Sequence, residues 1–222
     1  MKGITLFSIP FLAVSLPSQM AAQTQVIFDT SFGDIPMTLF DSQAPETVAN
    51  FLGYIERGDY DNSIFHRLAG GFVLQAGGFA LADPSASHLV DPIPTVSPVV
   101  NEPGISNTRG TVAMAKQDGD PDSATSQWFV NLDDNSGLDL VNGGFTVFGE
   151  VTDMTVIDEI AARPIANFGE PFETLPLVQF DPLVALTRGD LIVIRGVSIV
   201  PEPSTSGLLA MVAFLGLLRR KR

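Results

Sequence analysis

Cysteine is absent from all 222 residues of the chain. Its absence excludes disulfides, thiolate zinc sites and a cysteine nucleophile, and frees an exported chain from any need for oxidative folding machinery. Basic residues are scarce too, with 12 Lys and Arg against 25 Asp and Glu, a formal net charge of −13. The body of the chain is more acidic still, because Lys2, Arg219, Arg220, Lys221 and Arg222 lie at its extreme ends. Such a body repels nucleic acid, so none is expected as a partner. No Gly-x-Ser-x-Gly, phosphate loop or His-Glu-x-x-His occurs, which removes three common signals of hydrolases and nucleotide-binding proteins. A calcium loop also fails at Asp118, Asp120 and Asp122. Pro121 interrupts them, Ser123 stands where glycine is needed, and Phe129 occupies the place of the closing acid. No cofactor and no metal is therefore expected.

Two short apolar segments bracket the chain. Residues 4–16 form an apolar run broken by Pro10, preceded by Lys2 and followed by small and polar residues up to Ala22. This reads as a signal peptide over residues 1–22, with an uncleaved anchor as the alternative, although the run is short of the roughly 20 residues that span a bilayer. At the other end, Val200-Pro201-Glu202-Pro203 precedes an apolar run over 207–218 and then Arg219-Arg220-Lys221-Arg222. This order resembles the PEP-CTERM tail of Gram-negative exported proteins. The resemblance implies a sorting enzyme of the exosortase type acting on residues 201–222, transient inner-membrane anchoring through a short transmembrane segment, and a final place in the periplasm, at the cell surface or outside the cell. A run that short barely spans a bilayer, and the basic cluster would stay on the cytoplasmic side. A plain C-terminal membrane helix is the alternative. Both readings leave one folded domain, residues 23–200, outside the cytoplasm.

Within that domain the periodicity is mostly that of short strands. Val26-Ile27-Phe28-Asp29 and residues 35–40 flank a tight turn, predicting an opening hairpin. Pro45 and Glu46 suit a first helical turn, and Val48, Phe51, Leu52 and Ile55 then recur at helical spacing until Gly58. Apolar segments at 64–68, 72–75, 111–115, 128–131 and 145–151 predict further strands. Asp153 is placed to cap a second helix that Pro164 ends, and residues 191–200 supply a last strand able to pair with the first. Residues 83–104, rich in Pro and Ser, read as a long surface loop. Two helices and about eight strands are predicted, mainly β, and closure of the sheet would remove its vulnerable edges.

The ordered residues Asn50-Phe51, Tyr54, Gly58, Tyr60-Asp61, Phe65-His66-Arg67 and Gly71-Phe72-Val73-Leu74-Gln75-Ala76-Gly77-Gly78 resemble the cyclophilin signature. A second block agrees: Gly110-Thr111-Val112-Ala113-Met114-Ala115, Ser126-Gln127-Trp128-Phe129-Val130-Asn131, Leu138-Asp139 and Phe145-Thr146-Val147-Phe148-Gly149. The resemblance implies a closed eight-stranded antiparallel β-barrel capped by two α-helices, and catalysis of rotation about the bond that precedes proline. That rotation takes tens to hundreds of seconds unaided, because amide resonance must be broken.

The resemblance also implies roles. Arg67 matches the family's essential arginine, which donates a hydrogen bond to the prolyl nitrogen as that atom becomes pyramidal in the twisted state. Gln75 matches the residue that orients Arg67 and the substrate backbone, and Phe72 completes the catalytic set. Phe72, Val73, Phe129 and Leu138 match the apolar cup for the proline ring, Phe145 stands in its lining where many members carry a histidine, and Ala115 and Lys116 match the edge that pairs with a bound peptide through backbone groups. His66 is read as a packing residue, since the reaction moves no proton. Gly137 departs from the family, many of whose members carry tryptophan there, and this predicts weak binding of the cyclic peptide cyclosporin. The expected protein is a monomer that isomerises X-Pro bonds in unfolded exported proteins; the alternative is a non-catalytic module that holds proline-containing peptides at the cell surface or in an extracellular matrix.

Overall fold

Alternation of large apolar and polar residues in β1 (Gln25–Thr30) sends Val26 and Phe28 to one face, where both are fully buried. A turn through Ser31 and Phe32, closed by Gly33 at φ +124°, returns the chain as β2 (Gly33–Leu39), whose Ile35, Met37 and Leu39 join the same core. These coordinates are a computed structural model that describes residues 23–201. The leader expected over residues 1–22 and, but for Pro201, the tail expected over 201–222 lie outside the described residues.

α1 (Pro45–Glu56) follows, with proline in its first turn and Val48, Phe51, Tyr54 and Ile55 buried on one face. The remaining elements are β3 (Ser63–Ile64), β4 (Arg67–Ala69), β5 (Val73–Ala76), β6 (Phe79–Leu81), β7 (Val90–Pro92), β8 (Thr111–Met114), β9 (Trp128–Asn131), β10 (Val147–Val151), α2 (Thr155–Ala161), β11 (Ile165–Ala166), β12 (Leu175–Pro176) and β13 (Val193–Val200). Asp153 accepts the backbone N–H of Thr155 at 2.9 Å, at the start of α2.

Eleven of the strands form one antiparallel sheet in the order β4-β5-β9-β8-β10-β2-β1-β13-β3-β6-β7, and β11 pairs with β12 apart from it. The first and last strands meet inside it: β1 pairs with β13 from Gln25 opposite Val200 to Thr30 opposite Ile194. The sheet curls so that one face of nearly every strand meets a shared core with α1 and α2, centred on Trp128, Phe51, Phe28 and Phe148.

Two expectations change. The apolar run 64–68 is not one strand: the chain leaves β3 beside β13, turns at Phe65 and His66, and enters β4 at the far edge of the order. Breaks of this kind, together with the additional short strands β6 and β7, raise the count above eight. Residues 83–104 are also more than a surface loop. They contain β7 and the buried Ile93, and Glu102 reaches back to accept the N–H groups of Glu46 (3.2 Å) and Thr47 (2.8 Å) at the start of α1. A carboxylate there meets both unpaired N–H groups and the positive end of the helix dipole.

Candidate active site

Strand register builds the site. Arg67 lies opposite Gln75, Gln75 opposite Phe129, Phe129 opposite Ala113, and Ala113 opposite Val147. Residues directly opposite one another on paired strands share a face, so this row projects to one side of the sheet. The adjacent row, Leu68, Leu74, Val130 and Val112, projects to the other side and is buried in the core. One residue of register slip would exchange the two rows.

Above the outward row lies a cavity of about 200 Å³ lined by Arg67, Phe72, Val73, Gln75, Ala115, Lys116, Phe129, Leu138 and Phe145. The structure thus brings together all nine residues singled out from sequence, drawn from β4, β5, β9 and the segments after β8 and before β10. Phe72 sits at the β4–β5 turn, where Gly71 takes φ +68°, and its ring is about one-third exposed. Val73 and Phe129 are buried beneath, packed with Ala113 and Val147. Leu138 lies in a 3-10 turn (Ser136–Leu140) that Asp139 pins by accepting the Ser106 hydroxyl and, at 2.9 Å, the Asn107 N–H. Phe145 closes the wall, its ring centre 5.9 Å from that of Phe129 in an edge-on arrangement.

The polar side of the cavity is a relay of three side chains. Gln127 Oε1 accepts from Gln75 Nε2 at 2.7 Å, which fixes the amide so that Gln75 Oε1 accepts from Arg67 Nη1 at 3.3 Å. The guanidinium has five N–H donors, and this contact uses one of them. Ala115 gives its N–H to Gln127 O at 2.9 Å, leaving its carbonyl as the group able to meet a peptide. At the open edge the Lys116 ammonium donates to Asn142 O and Gly144 O and lies 4.8 Å from the Phe145 ring centre. Sequence reasoning gave Lys116 only a backbone role and gave Gln127 none. Their contacts bridge 26 and 52 residues of chain, and no local pattern reports such distances.

His66, next to Arg67, is buried and rests edge-on against Phe79 at 5.2 Å. Burial pushes its pKa down to about 4, so near neutral pH it is an uncharged packing group. Of the acidic triplet, Asp120 accepts the N–H of Asp122 at 3.2 Å, the usual work of a turn, and Asp122 ties that turn to the preceding segment by accepting the N–H of Asn101 at 2.9 Å.

The site is thus a narrow apolar cup on the outer face of a curled antiparallel sheet, bordered by one oriented guanidinium. Residues 25–180 match the family described as cyclophilin type peptidyl-prolyl cis-trans isomerase/CLD, and residues 200–222 match the PEP-CTERM protein-sorting motif. The chain is 46% identical over 143 residues to peptidyl-prolyl cis-trans isomerase B of Escherichia coli (strain K12), covering 61% of this chain and 82% of that one. It is 39% identical over 179 residues to peptidyl-prolyl cis-trans isomerase A of Dickeya dadantii, covering 78% and 86%. The crystal structure of a cyclophilin type peptidyl-prolyl cis-trans isomerase from Cryptosporidium parvum superposes with a TM-score of 0.58 at 24% identity, covering 82% of this chain and 100% of the other, a likeness of fold. The chain belongs to the cyclophilin-type peptidyl-prolyl cis-trans isomerases and ends in a PEP-CTERM motif.

Proposed function

We propose that this isomerase turns X-Pro bonds of unfolded proteins outside the cytoplasm, with Arg67 as the group that stabilises the twisted amide. One observation carries the reading: the guanidinium, held by Gln75, lines the same small cavity as the apolar residues Phe72, Val73, Phe129, Leu138 and Phe145. The cup grips the proline ring while the preceding carbonyl rotates. In the planar ground state the prolyl nitrogen lends its lone pair to the amide; in the twisted state the lone pair is localised and accepts a hydrogen bond from Arg67. A donor that is strong only toward the twisted state lowers the barrier, by a factor of ten for about every 1.4 kcal/mol. Gln75 limits the motion of the guanidinium, and the backbone beside Ala115 and Lys116 pairs with the extended peptide.

We read the curled sheet as a closed barrel of eight principal strands. Supporting this, the adjacent residues Phe65 and His66 donate their N–H groups to Ile192 O and Gln75 O, so one corner joins the two flanks of the sheet. Removal of the tail by an exosortase-type enzyme after transient membrane anchoring is supported by the sorting motif at 200–222; the cleaved leader over 1–22 and the monomeric state complete the same reading. Among the described residues no helix is long and apolar enough to cross a membrane, and the short transmembrane segment proposed for the tail lies outside them.

A protease-free assay of prolyl isomerisation in a short peptide tests the enzyme directly. The wild type is expected to exceed the buffer rate and Arg67→Ala to lose the acceleration; an equally fast variant removes Arg67 from the role. Mass spectrometry of the mature protein tests the tail, whose processing is refuted by a mature form that still ends at Arg222.

A further inference from the structure

Between the 3-10 turn and β10 the backbone follows an unusual path. Asn142, Gly143 and Gly144 take φ values of +51°, +76° and +79°, three left-handed residues in succession. A segment of this kind has no ladder of its own and must be held from outside. Its own Asn142 Nδ2 donates to Gln117 O at 2.9 Å, and two side chains from elsewhere in the chain hold its carbonyls. Asn101 Nδ2 donates to Gly143 O at 3.0 Å and Gly144 O at 2.9 Å, from beyond the cavity. Lys116 Nζ donates to Asn142 O at 2.7 Å and Gly144 O at 2.5 Å, from the cavity rim. The same ammonium lies 4.8 Å from the centre of the Phe145 ring, which forms the wall facing Phe129.

The neighbouring lip of the cavity, at the 3-10 turn, offers little aromatic cover. Gly137 has open space around the position a side chain would occupy, so the turn carrying Leu138 contributes one apolar residue and no aromatic cover. The outer wall of the cup therefore depends on Phe145, and Phe145 on how the preceding loop is fixed.

We propose that the side chain of Lys116 is a positioning residue for peptide binding: a latch that ties the 142–144 loop down and holds the Phe145 ring against the proline cup. Three interactions meet at one atom. Two charge-assisted hydrogen bonds fix the loop carbonyls, and the cation over the ring face fixes the aromatic plane. A methionine would retain the aliphatic reach of Lys116 and lose all three; an arginine would retain donors and charge. The cup touches the ring of proline alike in the ground and twisted states, so loosening it weakens binding without touching the step that Arg67 assists. The inference rests on the reading of this cavity as the prolyl site.

The experiment measures kcat and KM on a proline-containing tetrapeptide by line-shape or exchange NMR for wild type, K116M, K116R, F145L and the K116M/F145L double variant, with unfolding midpoints for each. K116M is expected to raise KM about five- to tenfold, with kcat within about twofold and an unfolding midpoint close to wild type. K116R is expected to restore most of the loss. In the F145L background, K116M is expected to have less than about half its effect, because the two side chains act as one unit. A K116M protein with the KM of wild type overturns the latch, as does an undiminished effect in the F145L background or a lowered kcat at unchanged KM. If K116M unfolds, K116R and F145L carry the test: an F145L protein with the KM of wild type leaves the latch nothing to position. Arg67→Ala serves as a separate arm. Turnover unaffected by that change would remove the prolyl site itself, whereas lost turnover with a silent K116M would remove the latch alone.

Discussion

Two apolar hollows lie on the outside of the same sheet, and they differ in what surrounds them. One is the cup over Phe129, about 200 Å³, bordered by Arg67, Gln75 and Lys116. The other, about 290 Å³, lies where residues 168–191 cross β3 and β7, between Ile64, Val90, Phe168, Phe172, Leu175 and Leu186. The second is larger and more apolar, and its neighbourhood exposes Phe180, Leu183 and Val184. It has no guanidinium on its wall and no relay like that of Gln75 and Gln127. On the proposed reading, amide rotation needs more than volume and greasiness: it needs a directed donor beside a ring-sized cup.

The comparison can be broken most sharply by removing the donor. Arg67→Ala is expected to lower kcat/KM for a prolyl peptide about a hundredfold or more, the usual scale for deleting one oriented transition-state donor, with little change in stability. Phe168→Ala, in the second hollow, is expected to leave kcat/KM within about twofold. Equal losses from the two would erase the distinction.

His66 joins the two regions, adjoining Arg67 in sequence and resting on Phe79, which packs on Phe172 at 4.8 Å. Its folded pKa of about 4 lies below the ordinary value of 6.5, so the unfolded chain takes up its proton first as pH falls. Stability from the neutral ring is thus complete above about pH 6.5 and declines through the window down to about pH 4, by roughly 1–3 kcal/mol. Denaturant midpoints followed by the fluorescence of Trp128 at pH 7 and pH 4.5 should show this decline, and His66→Leu should remove most of it. An unchanged slope would place the acid sensitivity elsewhere.

Gly137→Trp sharpens the comparison from the side of the cup, because the space is open and the change covers a bare lip. Cyclosporin affinity measured by calorimetry is expected to rise about tenfold or more over a weak wild-type value, since covering one aromatic's worth of apolar surface is worth about 1–2 kcal/mol. Nanomolar binding by the wild type would contradict the reading of Gly137. The smallest expected effect is Glu102→Ala, about 1 kcal/mol of stability through loss of the cap on α1, with kcat/KM unchanged. Thermal unfolding of the variant beside wild type checks it.

Much of the site was legible because its residues sit in short ordered blocks. Phe65-His66-Arg67, the stretch from Gly71 to Gly78 and the stretch from Ser126 to Asn131 each place several wall residues at fixed offsets on one strand or turn. Most of what escaped reading has one physical cause, contact across long chain separations. Glu102 meets Thr47 over 55 residues and Lys116 meets Asn142 over 26. The corner that splits 64–68 is equally silent, because an apolar run is compatible with one strand or two. Residues 165–191 carry no strong period, and their small satellite cluster with Ile64 and Leu191 emerges only after the sheet has folded beneath them.

By itself the sequence determined the alternation along each strand, the two amphipathic helices, the lack of thiol chemistry, the blocks that carry the wall of the cup and the motif at its C-terminal end. Only the tertiary structure decided that Arg67, Gln75, Phe129 and Ala113 stand in one row, that Gln127 aims Gln75, and that Lys116 meets the loop before Phe145. The reason is register: a strand's period of two gives each residue a choice between two faces, and pairing with distant strands selects which face becomes the core and which becomes the cup.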